Sequence, residues 1–424
     1  MGWNSWDCYG TTVTESEVLA NAEFMAEHLL RHGWDTIVVD IDWADPTARS
    51  HGYNAGAPLH LDEYGRLIPD PGRFPSSAGG AGFGPLAARI HELGLRFGIH
   101  TMRGIPRRAV AQDLPILGSA ARASEVADAA NVCEWNPDML GLDHGHPAAQ
   151  AYYDSTLALY AGWGVDFIKA DDMLWPYQAA DVEAYASAIR TSGRDIVLSL
   201  SPGRDLSLER LEHLREHADM WRICDDLWDQ WPDVEANFAR FARWAPFAGE
   251  RGWPDGDMLP LGRIGIRAER GEPRDDRLTP DERVSLLTLW IIARSPLMIG
   301  GDLPSSDPAT IALFQNDDAL AVLASSSRNR EVFREGALVL WAADGPDGVR
   351  YAAAFNVGGE PLEAILDAGN IGFPASGVAT ELWTGREIPL EPIAAQSDAA
   401  RGVAPGSAAL RVALPSHGAA LLRI

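Results

Sequence analysis

Cysteine is scarce in this chain: Cys8, Cys133 and Cys224 are the three among 424 residues, and no CxxC spacing occurs. An odd, scattered set neither builds a disulfide framework nor supplies a thiolate zinc site, and a reducing compartment is the simplest fit. Cations are in deficit too. Thirty-five Lys and Arg stand against 60 Asp and Glu, giving a formal net charge of −25 and a pI near 4.7. Such a surface repels nucleic acid and anionic membranes at long range, whereas an uncharged small ligand is indifferent to it. No apolar run approaches the ~18 residues of a membrane-spanning helix. The opening Met1-Gly-Trp-Asn-Ser-Trp6 has neither the basic nor the apolar segment of a signal peptide, so a cytoplasmic location is expected. Low-complexity tracts, GxGxxG fingerprints and Walker loops are missing as well, which leaves a nucleotide-binding sheet without support.

What is present alternates. Thr14-Glu-Ser-Glu17 is a capping box, followed by a helical face of Val18, Ala22, Met25 and Leu29. Thr36-Ile-Val-Val-Asp40 is a continuous apolar run suited to a strand buried on both faces. Helix Leu86–Leu93 precedes strand Leu95–His100, and Pro147 opens a helix that Gly162 and Gly164 close. Strands follow at Val165–Ala170, Ile196–Leu200, Ala218–Ile223 and Ser295–Gly300, with helices at Asp181–Ile189 and behind the capping box Thr279-Pro-Asp-Glu282. Repeated β-then-α units of this length predict a parallel sheet closed into a (β/α)8 TIM barrel over residues 1–325. From 326 to 424 the periodicity changes. Hairpin signals such as Asp344-Gly-Pro-Asp-Gly348 separate short apolar runs, which predicts a C-terminal antiparallel β-sandwich domain.

The chemistry concentrates at two strand ends. Trp163-Gly-Val-Asp-Phe-Ile-Lys-Ala-Asp-Asp172 delivers Lys169, Asp171 and Asp172 to the carboxyl end of a strand, where barrel active sites sit. Lys169 and Asp171 are two residues apart and share a side, so the ammonium is expected to keep Asp171 ionised, as a nucleophile requires. Trp221-Arg-Ile-Cys-Asp-Asp-Leu-Trp-Asp-Gln-Trp231 brings Arg222, Asp225, Asp226 and Asp229 among three tryptophans. Two carboxylates from different strands flanked by indole faces suit glycosidic cleavage, one attacking and the other protonating the leaving oxygen.

In order along the chain these motifs resemble glycoside hydrolase family 27, the α-galactosidase and α-N-acetylgalactosaminidase family. Five blocks carry the resemblance: Met1–Trp6; Leu61–Asp70 with Arg73-Phe-Pro-Ser76; Trp163–Asp171; Arg222–Asp226 with Trp231; and Gly252–Leu259 with Leu289-Trp290, Ser295–Met298 and Gly301-Asp-Leu303. The resemblance implies Asp171 as nucleophile and Asp226 as acid/base, acting with retention. It places Arg222 at the sugar's 2-hydroxyl side, Lys169 at the 3/4-hydroxyl side, Trp6 as a wall and Asp257 as a floor. Asp40 corresponds to the first of two adjacent sugar-binding aspartates on the second strand. No metal or other cofactor is implied.

The chain departs from the family pattern at three places. The second aspartate of the pair, which reads the axial 4-hydroxyl and the 6-hydroxyl of galactose, is Ile41, with Asp42 following. Leu200-Ser201-Pro-Gly203 replaces a Cys-Glu-Trp-Pro stretch near the 2-position, and His100 stands where a sugar-facing Tyr is common. Family members also include isomaltodextranases and β-L-arabinopyranosidases. The expectation is therefore a retaining exo-acting α-glycosidase, α-D-galactosides first, with another sugar or a non-catalytic carbohydrate-binding role as alternatives. The expected site comprises Asp171 and Asp226 with Trp6, Asp40, Asp42, His100, Lys169, Ser201, Arg222 and Asp257. The expected partner is a small-molecule carbohydrate, with no nucleic acid and no membrane, and a homo-oligomer is compatible with the sequence. Asp143-His-Gly-His146 reads as a turn rather than a metal site.

Overall fold

The computed structural model describes residues 1–392 and 408–424. Eight short strands carry the barrel: β1 Gly2–Asn4, β2 Thr36–Val39, β3 Arg96–Met102, β4 Phe167–Asp171, β5 Val197–Leu200, β6 Met220–Arg222, β7 Trp253–Asp255 and β8 Met298–Ile299. Their order is β7-β6-β5-β4-β3-β2-β1-β8, and the pairs run parallel, for example Gly2↔Thr36, Ile37↔Phe97, His100↔Lys169, Lys169↔Ser199 and Gly2↔Met298. Just beyond β7, Leu259 bridges in parallel to Ile299. The intervening helices are α1 Glu15–His28, α2 Gly84–Glu92, α3 Pro147–Gly162, α4 Ala179–Ser192, α5 Leu211–His217, α6 Trp231–Trp244 and α7 Pro280–Ala293. This is the expected (β/α)8 barrel.

By compactness the chain forms two units that interleave in sequence: Met1–Asp226 with Asp257–Asp276 and Leu297–Ile311, and Leu227–Gly256 with Arg277–Pro296 and Ala312–Ile424. In the first unit all four residues of β2 are buried, which is why the run lacks alternation. Both capping boxes form. Thr14 N–H donates to Glu17 at 3.0 Å in the first unit, and Thr279 exchanges bonds with Glu282 at 2.8 and 3.2 Å in the second. Strand β4 begins at Phe167 rather than Val165, because Val165 N–H still bonds Tyr160 of α3. Asp166 braces the amino-terminal end of that strand, accepting from Phe97 N–H at 2.9 Å and meeting His91 at 2.7 Å. Conserving shape at that barrel face is a matter of stability. Above it, Trp43 packs edge-on against Phe83, Tyr160 and Trp163, each such pair contributing roughly 0.5–1.5 kcal/mol beyond its buried area.

Between β3 and α3 the chain inserts a small antiparallel sheet, Ile105–Pro106, Met139–Leu142 and Ala127–Val132. Nothing in the alanine-rich segment Ala127–Val132 predicts a strand. In the second unit a six-stranded antiparallel sheet includes Ser327–Glu335, Leu338–Asp344, Arg350–Asn356 and Ala419–Arg423. It shares a core with a three-stranded sheet of Leu362–Asp367, Ala408–Leu414 and Glu391–Pro392, through Leu340, Ala354, Leu366, Val412 and Leu422. This is the expected sandwich, and the Asp344↔Arg350 pair closes its hairpin. His417 stacks on Trp231 at 4.2 Å and contacts Glu282 at 2.6 Å, so its role in this unit is packing. Among the described residues no helix is long and apolar enough to cross a membrane.

Candidate active site

In the first unit the carboxyl ends of the strands surround a cavity of about 270 Å3 whose lining includes Trp6, Asp40, Ile41, His100, Lys169, Asp171 and Asp226. Six of the ten residues singled out in the sequence therefore converge on one space. Arg222 and Asp257 stand behind it as a buried pair, Nη1 to Oδ1 2.6 Å, and Arg222 Nη2 reaches Asp226 Oδ1 at 3.2 Å. Asp42 and Ser201 do not line the cavity. Asp42 faces a separate, water-sized void of about 30 Å3 with His100 and Asp138. Its backbone sits at φ 66°, which turns the side chain off the β2 direction, and burial with Asp45 nearby pushes its carboxyl up to about 7. Ser201 is buried, and it is its neighbour Pro202 that reaches the wall.

The partner of Asp171 differs from the expectation. Lys169 Nζ bonds Asp40 Oδ2 at 2.9 Å, while Asp171 Oδ2 lies 2.9 Å from His100 Nε2. A carboxylate only accepts, so the imidazole donates from Nε2. Register explains the exchange: His100 lies opposite Lys169 on the adjacent strand, and Asp40 directly follows β2 within reach of the lysine. Trp43 Nε1 fixes the histidine by donating to its carbonyl at 2.8 Å. Burial alone would raise the Asp171 carboxyl; the His100 bond and charge, then Lys169 and the Asp172 N–H, outweigh it and hold Asp171 well below the usual carboxylate range. The arrangement favours the ionised carboxylate, the state a nucleophile needs.

Asp40 is held in the same way. Burial works against its charge, but Lys169, His100 and the Ile41 N–H more than compensate, and its carboxyl is lowered. Asn4 Nδ2 completes the set at 2.8 Å, and Asn4 Oδ1 in turn accepts from Trp6 N–H at 2.9 Å, so the opening loop is tied to β2. Burial disfavours the Lys169 charge, yet Asp40, Asp171 and Asp257 hold its pKa above the ordinary value. Lys169 is also the only lysine in the 424 residues. Everywhere else this chain carries its cations on arginine. Beneath the pocket Asp7 is fully buried, and burial with Asp257 and Asp226 raises its carboxyl far above the usual range.

Sequence reasoning missed part of the lining: Tyr53, Trp135, Trp175, Pro202, Glu269 and Arg270. Tyr53 stacks on Trp6 at 5.9 Å and meets Trp135 at 5.1 Å, which makes one aromatic wall. Trp175 is 44% exposed and lies under the Arg204 guanidinium at 5.3 Å. It follows Asp171 by four residues on the same loop, a proximity that was available as a signal. The other carboxylates sort out by geometry. Asp172 is buried against Arg103 at 2.7 Å, and Asp225 sits at the rim. Asp229, in the second unit, accepts from Arg277 N–H at 3.1 Å. His146 caps α3 by accepting from Ala148 N–H at 3.1 Å, the turn that the HxH sequence suggested.

Comparisons with known proteins bear on the family and the fold. The family model described as alpha galactosidase A matches residues 142–325, and the alpha galactosidase C-terminal beta sandwich domain matches 335–424. A family 27 β-L-arabinopyranosidase from Geobacillus stearothermophilus, solved as a variant in complex with arabinose, is 43% identical with a TM-score of 0.94, covering 100% of this chain and 96% of that one. A Bacillus halodurans protein, described as a candidate α-N-acetylgalactosaminidase, is 42% identical with a TM-score of 0.87 over 100% and 96% of the two chains. "Alpha-galactosidase 2" of Arabidopsis thaliana is 25% identical over 394 residues, 90% of this chain and 82% of that protein. With two family domains matched and whole-chain identity above two-fifths to a family 27 enzyme, the chain belongs to glycoside hydrolase family 27 and is a glycosidase acting on carbohydrate.

Proposed function

We propose that the enzyme is a retaining exo-acting β-L-arabinopyranosidase. One observation carries the reading: Ile41, only 3% exposed, is part of the cavity wall directly beside Asp40. β-L-Arabinopyranose has the ring configuration of α-D-galactopyranose but lacks the C5 hydroxymethyl group. An isoleucine can neither accept from a 6-hydroxyl nor yield the space that the group needs, whereas it packs well against a bare ring methylene. Asp42, turned into the neighbouring void, does not restore the missing acceptor. The 43% identical Geobacillus enzyme supports the same sugar.

In this reading Asp171 attacks the anomeric carbon and forms a covalent glycosyl-enzyme as the C–O bond to the aglycone breaks. Asp226, protonated, donates to the departing oxygen. It then takes a proton from water, which displaces Asp171 and releases the sugar with retained configuration. Asp40 and Lys169 together offer an acceptor and a donor to neighbouring ring hydroxyls, and the Trp6 indole faces the ring's C–H surface. The alternative, an α-D-galactosidase, is supported by the more distant plant relatives.

A panel of 4-nitrophenyl glycosides separates the two. The expected result is kcat/KM on the β-L-arabinopyranoside at least tenfold above that on the α-D-galactoside. The reverse order would reject the arabinoside reading, and turnover of neither would reject both. Proton NMR of the first-formed anomer tests retention.

A further inference from the structure

Away from the cavity, α4 and α5 bring together three side chains with metal-ligating atoms. His213 and His217 are spaced i, i+4 on α5 and so share one face, the spacing by which a helix offers two imidazoles to one ion. Their rings are 4.6 Å apart, centroid to centroid. Glu183 of α4 meets them: its Oε1 is 3.1 Å from His213 Nε2. One ligand atom from each of the three lies within 4.8 Å of the others.

We propose that Glu183, His213 and His217 form a binding site for a borderline transition-metal dication of the zinc class, separate from the catalytic cavity. Two imidazoles and one carboxylate select zinc, nickel, copper or cobalt over calcium and magnesium, which prefer all-oxygen shells. Three protein ligands leave a position for water. Two further features fit a metal better than a chance cluster. Tyr177 Oη lies 2.6 Å from His213 Nδ1, the outer contact that orients a ligating imidazole. When Nε2 gives its lone pair to the ion, the ring proton resides on Nδ1 and the tyrosine oxygen accepts from it. His217 is 14% exposed and its Nε2 lies 3.9 Å from Glu216, while its Nδ1 is buried with no hydrogen-bond partner among the described residues, which leaves that nitrogen to an ion. Arg190 repels a dication, and Glu183 with Glu216 supplies the opposing charge.

The site would tie α4 to α5. Through Tyr177 it would also hold the end of the loop that carries Asp171 and Trp175.

The test is isothermal titration of zinc chloride into chelator-stripped full-length enzyme, repeated with His213→Ala, His217→Ala and Glu183→Gln. Cobalt(II) absorption serves as a second readout of coordination. We expect one ion per chain, a visible cobalt band of low-coordinate type, and affinity weakened at least tenfold in each histidine variant, with a smaller loss in Glu183→Gln. Melting temperatures of the stripped proteins show that the variants are folded. Absence of zinc binding by the unmodified enzyme would overturn the site, as would histidine variants that bind like it, since the ion would then be held elsewhere.

Discussion

His100 Nε2 and Asp171 Oδ2 are 2.9 Å apart, and this bond, more than the lysine two residues before the carboxylate, sets the ionisation of the candidate nucleophile. His100→Gln removes the imidazole donor while keeping an amide of similar reach. A hydrogen bond to a charged group contributes about 1.5–3 kcal/mol, and 1.36 kcal/mol corresponds to one pKa unit. The acid limb of kcat/KM is therefore expected to move up by roughly one to two pH units, which a pH–rate profile reads directly. The sign for stability follows from the same shift. The Asp171 carboxyl is lowered on folding, so its contribution is complete above the unfolded value near 3.9 and is lost as pH falls through the folded value below it.

Asp171→Asn is expected to abolish turnover while leaving the protein folded, with the melting temperature lowered by the lost carboxylate–His100 interaction. Asp226→Asn differs in kind. Losing a general acid lowers rates by roughly 10²–10⁴-fold, and the loss is expected to shrink for 4-nitrophenolate, which leaves without protonation. Comparing an alkyl with an aryl glycoside in both variants distinguishes the two roles.

Lys169→Met leaves Asp40 buried with its strongest partner gone. Removing one member of a buried ion pair destabilises by about 3–5 kcal/mol, so denaturant midpoints are expected to fall accordingly. Asp40→Asn combined with Lys169→Met recovers part of the loss, because no charge is then stranded. Additive losses in the double variant would argue against the pairing.

Ile41→Ala opens space beside Asp40. A pocket discriminates methylene-sized groups by about 1–3 kcal/mol, or roughly 10–200-fold. The ratio of galactoside to arabinopyranoside kcat/KM is expected to rise within that range. An unchanged ratio would mean that another residue sets the sugar.

Gly203 approaches the β6 end so closely that a Cβ would collide with the Arg222 carbonyl, while its own N–H bonds the Cys224 carbonyl at 3.0 Å. Gly203→Ala must push the backbone that aims Arg222 at Asp226. The expected cost is about 1–3 kcal/mol together with a lower kcat, measured by thermal melts and steady-state kinetics.

The barrel was legible because its strands are buried on both faces and so read as unbroken apolar runs, as Thr36–Val39 does. Helices announced themselves by caps such as Thr14 and Thr279. Strand Ala127–Val132 gave no such signal: its Ala, Asp and Asn residues favour helix or turn, and tertiary pairing with Met139–Leu142 overrides them. The candidate site was legible at and just beyond strand ends, as at Lys169, Asp171 and Asp226, which line one cavity. Period-two reasoning correctly put Lys169 and Asp171 on one side. It could not choose their partners, because that choice is made by Asp40 and His100 on other strands. Tyr53, Trp135 and Glu269 come from irregular segments whose convergence depends on the closed barrel.

A solitary ε-amine lining the candidate active-site cavity also governs how this protein meets reagents. Succinimidyl esters and lysine-coupling resins find no lysine on its exterior, since the other cationic side chains outside histidine are guanidinium groups. Any side-chain acylation that does occur reports on the cavity itself, and an occupying monosaccharide should shield it.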